Sequence, residues 1–384
     1  MIALVPFVDP ARSLAALLDQ LLPELSPGAS VLIKPDWNAR HSPRAAEITT
    51  RGFLHALLSW LQSRGIRSVC LAHSSLLTPP DVPYTSFMDL LELADCMELL
   101  EDFPHLRLVD LEVEPMELRG DFLVPLALSE QDLVINCVRL KTHSGTQIAV
   151  GTKGLMGLLP DSEALRMHRD GLGPLLGKLG AALAPDLTLV EADLGMEGEG
   201  PHHGDPVSCG YYLGGSDLLE VDASAAWLMG MEPAQVEHVA ALATALGREL
   251  PPAPEQWAEH QRSFAQPVGM LQPTRAARVF SGDSCSTCHV AAESLLDFVK
   301  DQPREVRAIA RLAKALMVDG VDLYMGHQPE GRSPDPQRPC VALGDCAQSF
   351  AKTHSLPHVG GCPVRRDQVQ PALVQAMSKS RRDP

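Results

Sequence analysis

No uncharged apolar run in this sequence approaches the about 18 residues that a membrane-spanning helix needs. Its opening, MIALVPFVDP, lacks the cationic stretch and small-residue cleavage site of a signal peptide and reads as a first strand. Positive charge is scarce as well: 32 Lys and Arg stand against 48 Asp and Glu, a formal net charge of -16. Phosphate backbones are neutralised by clustered Lys and Arg, so this balance argues against a general nucleic-acid partner. Only the end, SKSRRDP, is locally basic, and it reads as a solvated tail. Internal repeats and low-complexity segments are missing. A soluble, cytoplasmic chain without nucleic-acid or membrane partners is expected. Its 384 residues, 45% of them hydrophobic, suffice for two or three domains with a sizeable core.

Familiar site motifs are missing too. GTQIAVGTK has the wrong spacing for a Walker A loop, and EGEGPHHG does not match a GxGxxG that opens a helix. Neither GxSxG nor HExxH occurs. The ferredoxin run CxxCxxCxxxCP is absent, and one CxxC stands alone, at Cys285 and Cys288.

What is present begins with the other cysteines. Of nine, Cys70, Cys96, Cys137 and Cys209 are scattered and read as buried thiols. The remaining five lie in the last hundred residues, and a disulfide framework is not expected in a cytoplasmic chain of this size. Cys346, in VALGDCAQSF, and Cys362, in HVGGCPVRR, sit in glycine-flanked turns, and Cys362 precedes a proline. Cys285, Cys288, Cys346 and Cys362 therefore read as a four-thiolate metal site. Thiolate zinc sites more often show two CxxC knuckles, so the spacing favours a [4Fe-4S] cluster, with structural zinc as the alternative. His289 or Cys340 remains open as a substitute ligand.

Through the first 250 residues short Val-, Leu- and Ile-rich runs alternate with amphipathic ones. SVLIKPDW, SVCLAHSS, LRLVDLE, DLVINC and LTLVEAD read as strands. DPARSLAALLDQLL, TTRGFLHALLSWLQSRG, GPLLGKLGAALA and LLEVDASAAWLMGM read as helices. This predicts an α/β fold, a mostly parallel sheet flanked by helices. A proline-rich stretch at 251–275 reads as a linker. It leads to a smaller C-terminal α/β metal-binding unit over 276–384.

In such sheets ligands bind outside the carboxyl ends of the strands. Lys34, Asp36, His73, Asn136, Arg139, Lys141, His143, Glu191 and Asp193 fall at those ends. Lys34, Arg139, Lys141, His143, Lys153 and His168 make the rim cationic, which suits a small anion. Gly145, Gly151, Gly154 and Gly157 would let backbone amides approach it. DLGMEGEGPHHGDP, with Glu197, His202 and His203, reads as a glycine-rich loop.

The blocks VLIKPDWN, VINCVRLKTHSGTQIAVGTKGLMGLLP, EADLGMEGEGPHHG and GGSDLLEVDASAAWLMGM resemble, in order and spacing, the family called domain of unknown function 362, over roughly residues 1–250. The resemblance implies iron–sulfur cysteines, which members often carry in a ferredoxin-like insert. This chain departs from the pattern at Gly154, where Asn is usual, and at Glu191–Ala192, where Asp-Gly is usual.

The expectation is an iron–sulfur redox protein, an oxidoreductase or electron carrier acting on a small anionic substrate or cofactor. Lys141 and His143 would be the catalytic pair, with His143 moving the proton because its ordinary pKa lies near neutrality. Lys34, Asn136, Lys153 and Glu197 would bind the cofactor, and a ferredoxin or flavodoxin would donate electrons. The alternatives are a non-redox isomerase or hydrolase of small acids with a structural metal, and a ligand-binding carrier.

Overall fold

The computed structural model describes residues 1–22, 24–38, 45–74, 86–268, 270–271, 277–282, 288, 314, 318, 320–328, 331–362 and 364–379. The chain divides into two compact units, the first comprising Met1–Leu76 and Thr85–Pro267, the second including Val268–Pro384.

Ten strands belong to the first unit: β1 (Ile2–Pro6), β2 (Ser30–Lys34), β3 (Ser68–His73), β4 (Leu106–Asp110), β5 (Met116–Arg119), β6 (Phe122–Pro125), β7 (Leu133–His143), β8 (Gln147–Ala149), β9 (Leu187–Glu197) and β10 (Asp205–Gly215). Eight form one sheet, in the order β1-β10-β9-β7-β2-β3-β4, with β8 paired to β7. The run β9-β7-β2-β3-β4 is parallel, whereas β1, β10 and β8 pair antiparallel. The sheet is thus mostly parallel, as the Val/Ile/Leu runs imply.

Helices α1 (Pro10–Leu21), α2 (Arg51–Ser63) and α3 (Phe87–Leu93) share one hydrophobic core with the sheet. In α1 the buried leucines 14, 17, 18 and 21 recur at helical spacing. Its N-cap is Asp9, whose carboxylate accepts the Arg12 N–H at 2.9 Å, and Pro10 opens its first turn. Leu17 is fully buried among them, so truncation to Ala would cost about 2–5 kcal/mol. The remaining helices are α4 (Leu99–Asp102), α5 (Gly151–Gly154), α6 (Asp161–Asp170), α7 (Leu172–Leu183), α8 (Leu218–Leu228) and α9 (Glu237–Ala245). Of these, α5, α7, α8 and α9 pack together, with α5 on β7 and α8 on β9 and β10.

Two stretches take a form that their composition hides. DLGMEGEGPHHGDP joins β9 to β10 as a hairpin, with Glu197 opposite Asp205 in register. The proline-rich residues up to Pro267 pack within the first unit: Arg262 and Phe264 donate their N–H groups to the carbonyls of Leu228 and Met229. Backbone hydrogen bonding fastens them where periodicity is silent.

The second unit carries a five-stranded sheet: β11 (Met270–Leu271), β12 (Ala277–Phe280), β13 (Val321–Met325), β14 (Cys340–Leu343) and β15 (His358–Val359), in that order. The last four are parallel. Helices α10 (Gln348–Thr353) and α11 (Arg366–Lys379) accompany it. Among the described residues, no helix is long and apolar enough to cross a membrane.

Candidate functional site

Strand register gathers the polar strand ends of the first unit. Lys34 pairs with Asn136, Asn136 with Thr188, and Ile33 with Leu71, which sets Lys34 and His73 at the same end. Lys34, Asn136, Lys141, His73 and His143 are all buried, and Lys153, on α5, is half-buried. The segment after β2 is clipped in place: Asp36 N–H donates to Thr49 Oγ1 at 2.9 Å, and Trp37 Nε1 to the Thr49 carbonyl at 3.1 Å.

Asp36 is the central carboxylate. Lys141 Nζ lies 2.7 Å from Asp36 Oδ2 and donates to the Glu47 carbonyl at 2.7 Å. The Glu47 side chain, fully buried, meets His202 Nδ1 at 2.7 Å. Burial works to raise the pKa of Asp36, but Lys141 and Lys34 hold it below the usual carboxylate value. Burial pushes Lys34 down to about 8 against the pull of Asp36, and does the same to Lys153. Among the described residues neither Lys34 nor Lys153 has a hydrogen bond or ion pair. Three ammonium groups therefore share a region in which Asp36 is bonded to one of them, Lys141, and Glu47 to His202.

Other site residues take roles that the sequence does not announce. Arg139 is engaged internally: Nη1 lies 2.7 Å from Glu191 Oε1 and 3.0 Å from Asp193 Oδ1, and Nη2 donates to the Leu194 carbonyl. Glu191 also accepts from the backbone N–H and the hydroxyl of Thr50, the N-cap of α2. Arg139 thus anchors the sheet and adds no spare charge to the rim. Burial first, then Lys153, drives the His143 pKa well below its ordinary value. The Gly145 N–H donates to His143 Nδ1 at 3.0 Å, so the neutral ring carries its proton on Nε2. His143 presents a donor, not a near-neutral titrating group.

Asn136 donates to the Gly151 carbonyl at 2.9 Å, while its own buried Oδ1 has no hydrogen-bond partner among the described residues. Glu197 accepts the Ala265 N–H at 2.9 Å, which fastens the end of the first unit. Three of the glycine amides expected to face a ligand are used within the fold: Gly145 by His143, Gly151 by Asp222 and Gly154 by the Val150 carbonyl. The glycines matter by what they lack. A Cβ on Gly151 would stand 2.8 Å from Asp222 Oδ1, and one on Gly157 would stand 2.7 Å from Lys34 Cε.

Sequence reasoning missed Glu47, Asp222 and His238. The Asp222 carboxylate accepts the N–H groups of Gly151 and Thr152 at 2.7 and 2.8 Å and so holds the turn that carries Lys153. Burial pushes it up to about 6. His238 is fully buried, both ring nitrogens without a hydrogen-bond partner among the described residues, and its pKa falls to about 3 through burial and then Lys153. A lone acid or histidine on an apolar helix face was the available signal for both; Glu47 had none.

In the second unit, Cys346 opens the turn after β14 and Cys362 follows β15, its parallel neighbour. The turns are stapled: Asp345 N–H donates to the Gly361 carbonyl at 3.2 Å, and Gly361 N–H to Asp345 Oδ1 at 2.7 Å. A Cβ on Gly344 would stand 3.3 Å from Cys288 Sγ. Cys346 and Cys362 thus follow neighbouring parallel strands, with Cys288 beside Gly344; among the described residues no three His, Cys, Asp or Glu side chains come together as a metal site. Cys285 and His289 lie outside the described residues. Cys340 is different: its buried thiol donates to the Arg338 carbonyl at 3.1 Å, and burial pushes it up to about 12. Cys70, Cys96, Cys137 and Cys209 are buried and unbridged, their pKa values raised by burial.

Fold and site together define an α/β protein with a buried cationic cluster at the carboxyl end of its parallel strands. The chain belongs to the family described as domain of unknown function (DUF362), whose model matches residues 31–227. The thylakoid-associated protein sll1697 of Synechocystis sp. is 27% identical over 259 residues, 60% of this chain and 74% of that protein. Among solved structures, the lactate racemase apoprotein from Thermoanaerobacterium thermosaccharolyticum aligns over 97% of this chain and 80% of that chain, with a TM-score of 0.41 and 13% identity.

Proposed function

We propose that the first unit binds a small anionic molecule at Lys34, Lys141 and Lys153, and that the second unit holds an iron–sulfur cluster that gives the protein a redox role. The observation that carries the anion reading is the pairing in the buried cluster. Lys141 has Asp36, Glu47 has His202, and the amines of Lys34 and Lys153 have no bonded counter-charge among the described residues. Burying ammonium groups without partners is costly. A carboxylate or phosphate oxygen arriving between them would supply the missing charge, and His143 Nε2–H and Lys141 would orient it.

Cys285, Cys288, Cys346 and Cys362 would hold the cluster, which would supply one-electron chemistry when bound. A ferredoxin or flavodoxin fits as electron donor. Two experiments test the two halves separately. Anaerobically purified protein should contain about four iron and four sulfide per chain and bleach with dithionite; one zinc and no colour would replace the cluster by a structural metal. Calorimetry with small carboxylates and phosphate should show binding that Lys34→Met and Lys153→Met each weaken. Binding that survives both substitutions would sink the anion site.

A further inference from the structure

We propose that Asp222 is the positioning residue of the anion site: together with Asn136 it clamps the turn that carries Lys153, and its protonation releases that lysine from its place beside Lys34 and Lys141. This rests on the reading that the site binds an anion, and it names what sets the site in order.

The turn is held from two sides. Asp222, on α8, is fully buried, and its two oxygens accept the N–H groups of Gly151 and Thr152 at 2.7 and 2.8 Å. Asn136, on β7, donates to the Gly151 carbonyl at 2.9 Å. The N–H and the carbonyl of Gly151 are thus both bonded to side chains from other elements, just before Lys153. The contact admits only glycine: a Cβ on Gly151 would stand 2.8 Å from Asp222 Oδ1 and 2.7 Å from Leu218 Cδ1. Helix α5 has only four residues, too few to hold its own shape, so these side chains set where Lys153 stands. Lys153 in turn sits among the charges of the site. Asp36 raises its pKa while Lys141 and Lys34 lower it, and its own charge acts on His143 and His238.

The clamp works in one protonation state. A carboxylate accepts at both oxygens, whereas a carboxylic acid turns one of them into a donor, which cannot take the N–H that it faces. One of two buried N–H groups then loses its partner. Burial is the first influence on Asp222 and raises its pKa to about 6, against the hydrogen bonds from Thr152 and Gly151. Helix α8 packs against α5, α9, β9, β10 and Glu255–His260. The titratable groups on those elements, among them Lys153, Glu237, His238, Glu191, Asp193, Tyr212 and His260, are not among the influences on Asp222. Release is a local event and not unfolding. Between the unfolded value of 3.8 and about 6 the folded chain binds more protons than the unfolded one, so protonation relieves the burial of Asp222 and stabilises the fold while it loosens the turn.

The test follows the lysines of the full chain, labelled with 13C at Cε, by NMR from pH 5 to 9, with the Lys153 signal assigned by its loss in Lys153→Met. That signal should move twice, near pH 6 with Asp222 and near pH 8 with its own proton, whereas Lys34 should move only near pH 8. Asp222→Asn, which fixes the uncharged state, should remove the step near pH 6. Sulfate keeps its charge across this range, and its affinity by calorimetry should fall about tenfold from pH 7 to pH 5. The same fall should be absent in Lys153→Met, which a merely structural role of Asp222 would not bring about. If Asp222→Asn does not fold, the wild-type titration decides. A Lys153 signal without a step near pH 6, a step that survives Asp222→Asn, or an equal fall in Lys153→Met would overturn the clamp while leaving the anion site standing. A step near pH 6 with no binding of sulfate or acetate at any pH would overturn the anion reading and leave the clamp.

Discussion

Asp36 Oδ2 and Lys141 Nζ lie 2.7 Å apart, and Asp36 also acts on the charges of Lys34 and Lys153. One carboxylate therefore serves three ammonium groups, and the two partners of the ion pair are unequal. Removing Lys141 leaves Asp36 with Lys34 close by. Removing Asp36 strands all three. Asp36→Asn should cost about 3–5 kcal/mol of stability, and Lys141→Met measurably less, by urea unfolding. The reverse order would show that Lys34 does not compensate Asp36.

Lys34 and Lys153 should give the ligand-free protein a pH-dependent stability. Their pKa values fall from 10.5 unfolded to about 8 folded. Between these values the unfolded chain binds more protons, so stability rises with pH across that window. Below pH 8 both states are protonated and the burial penalty is fully present. Anion affinity should run the other way and decline as pH rises through about 8. Thermal unfolding from pH 7 to 10, with and without phosphate, checks both signs.

Arg139→Lys should be far from conservative. The guanidinium reaches Glu191, Asp193 and the Leu194 carbonyl together, which a single ammonium cannot reproduce. A loss of about 3 kcal/mol is expected, because Glu191 stays buried with part of its pairing gone. Anion affinity of the folded fraction should stay within about twofold, since Arg139 contributes no charge to the site. A larger loss of affinity than of stability would place Arg139 in the site itself.

The cysteines should separate by position. Cys346→Ser and Cys362→Ser should each lose metal, whereas Cys340→Ser should retain it, because that thiol is held protonated by burial and bonded to the Arg338 carbonyl. Iron and sulfide content per chain measures this directly. Full metal content in Cys346→Ser would remove that residue from the ligand set.

Much of the frame was legible because it depends on local rules. The leucine spacing of α1, its Asp9 cap and Pro10, and the Val/Ile/Leu strands all follow from periodicity and capping chemistry. The hairpin at Glu197–Asp205 was not legible, since glycines and histidines carry no strand signal and the pairing is set by β10 meeting β9. The strand-end position of His143 was legible, but its charge state was not, because that depends on burial and on the hydrogen bond that the Gly145 N–H donates to Nδ1.

The sequence alone determined that an α/β sheet would form, that Lys34, His73, Asn136, Lys141 and His143 would lie at the ends of its strands, and that Cys346 and Cys362 would fall in turns. These follow from neighbours in the chain. Tertiary structure decided which charges remain available. Arg139 met Glu191, Lys141 met Asp36, and Lys34 was left without a bonded counter-charge among the described residues. Those partners come from other strands, and their energies depend on desolvation, which only the packed fold creates.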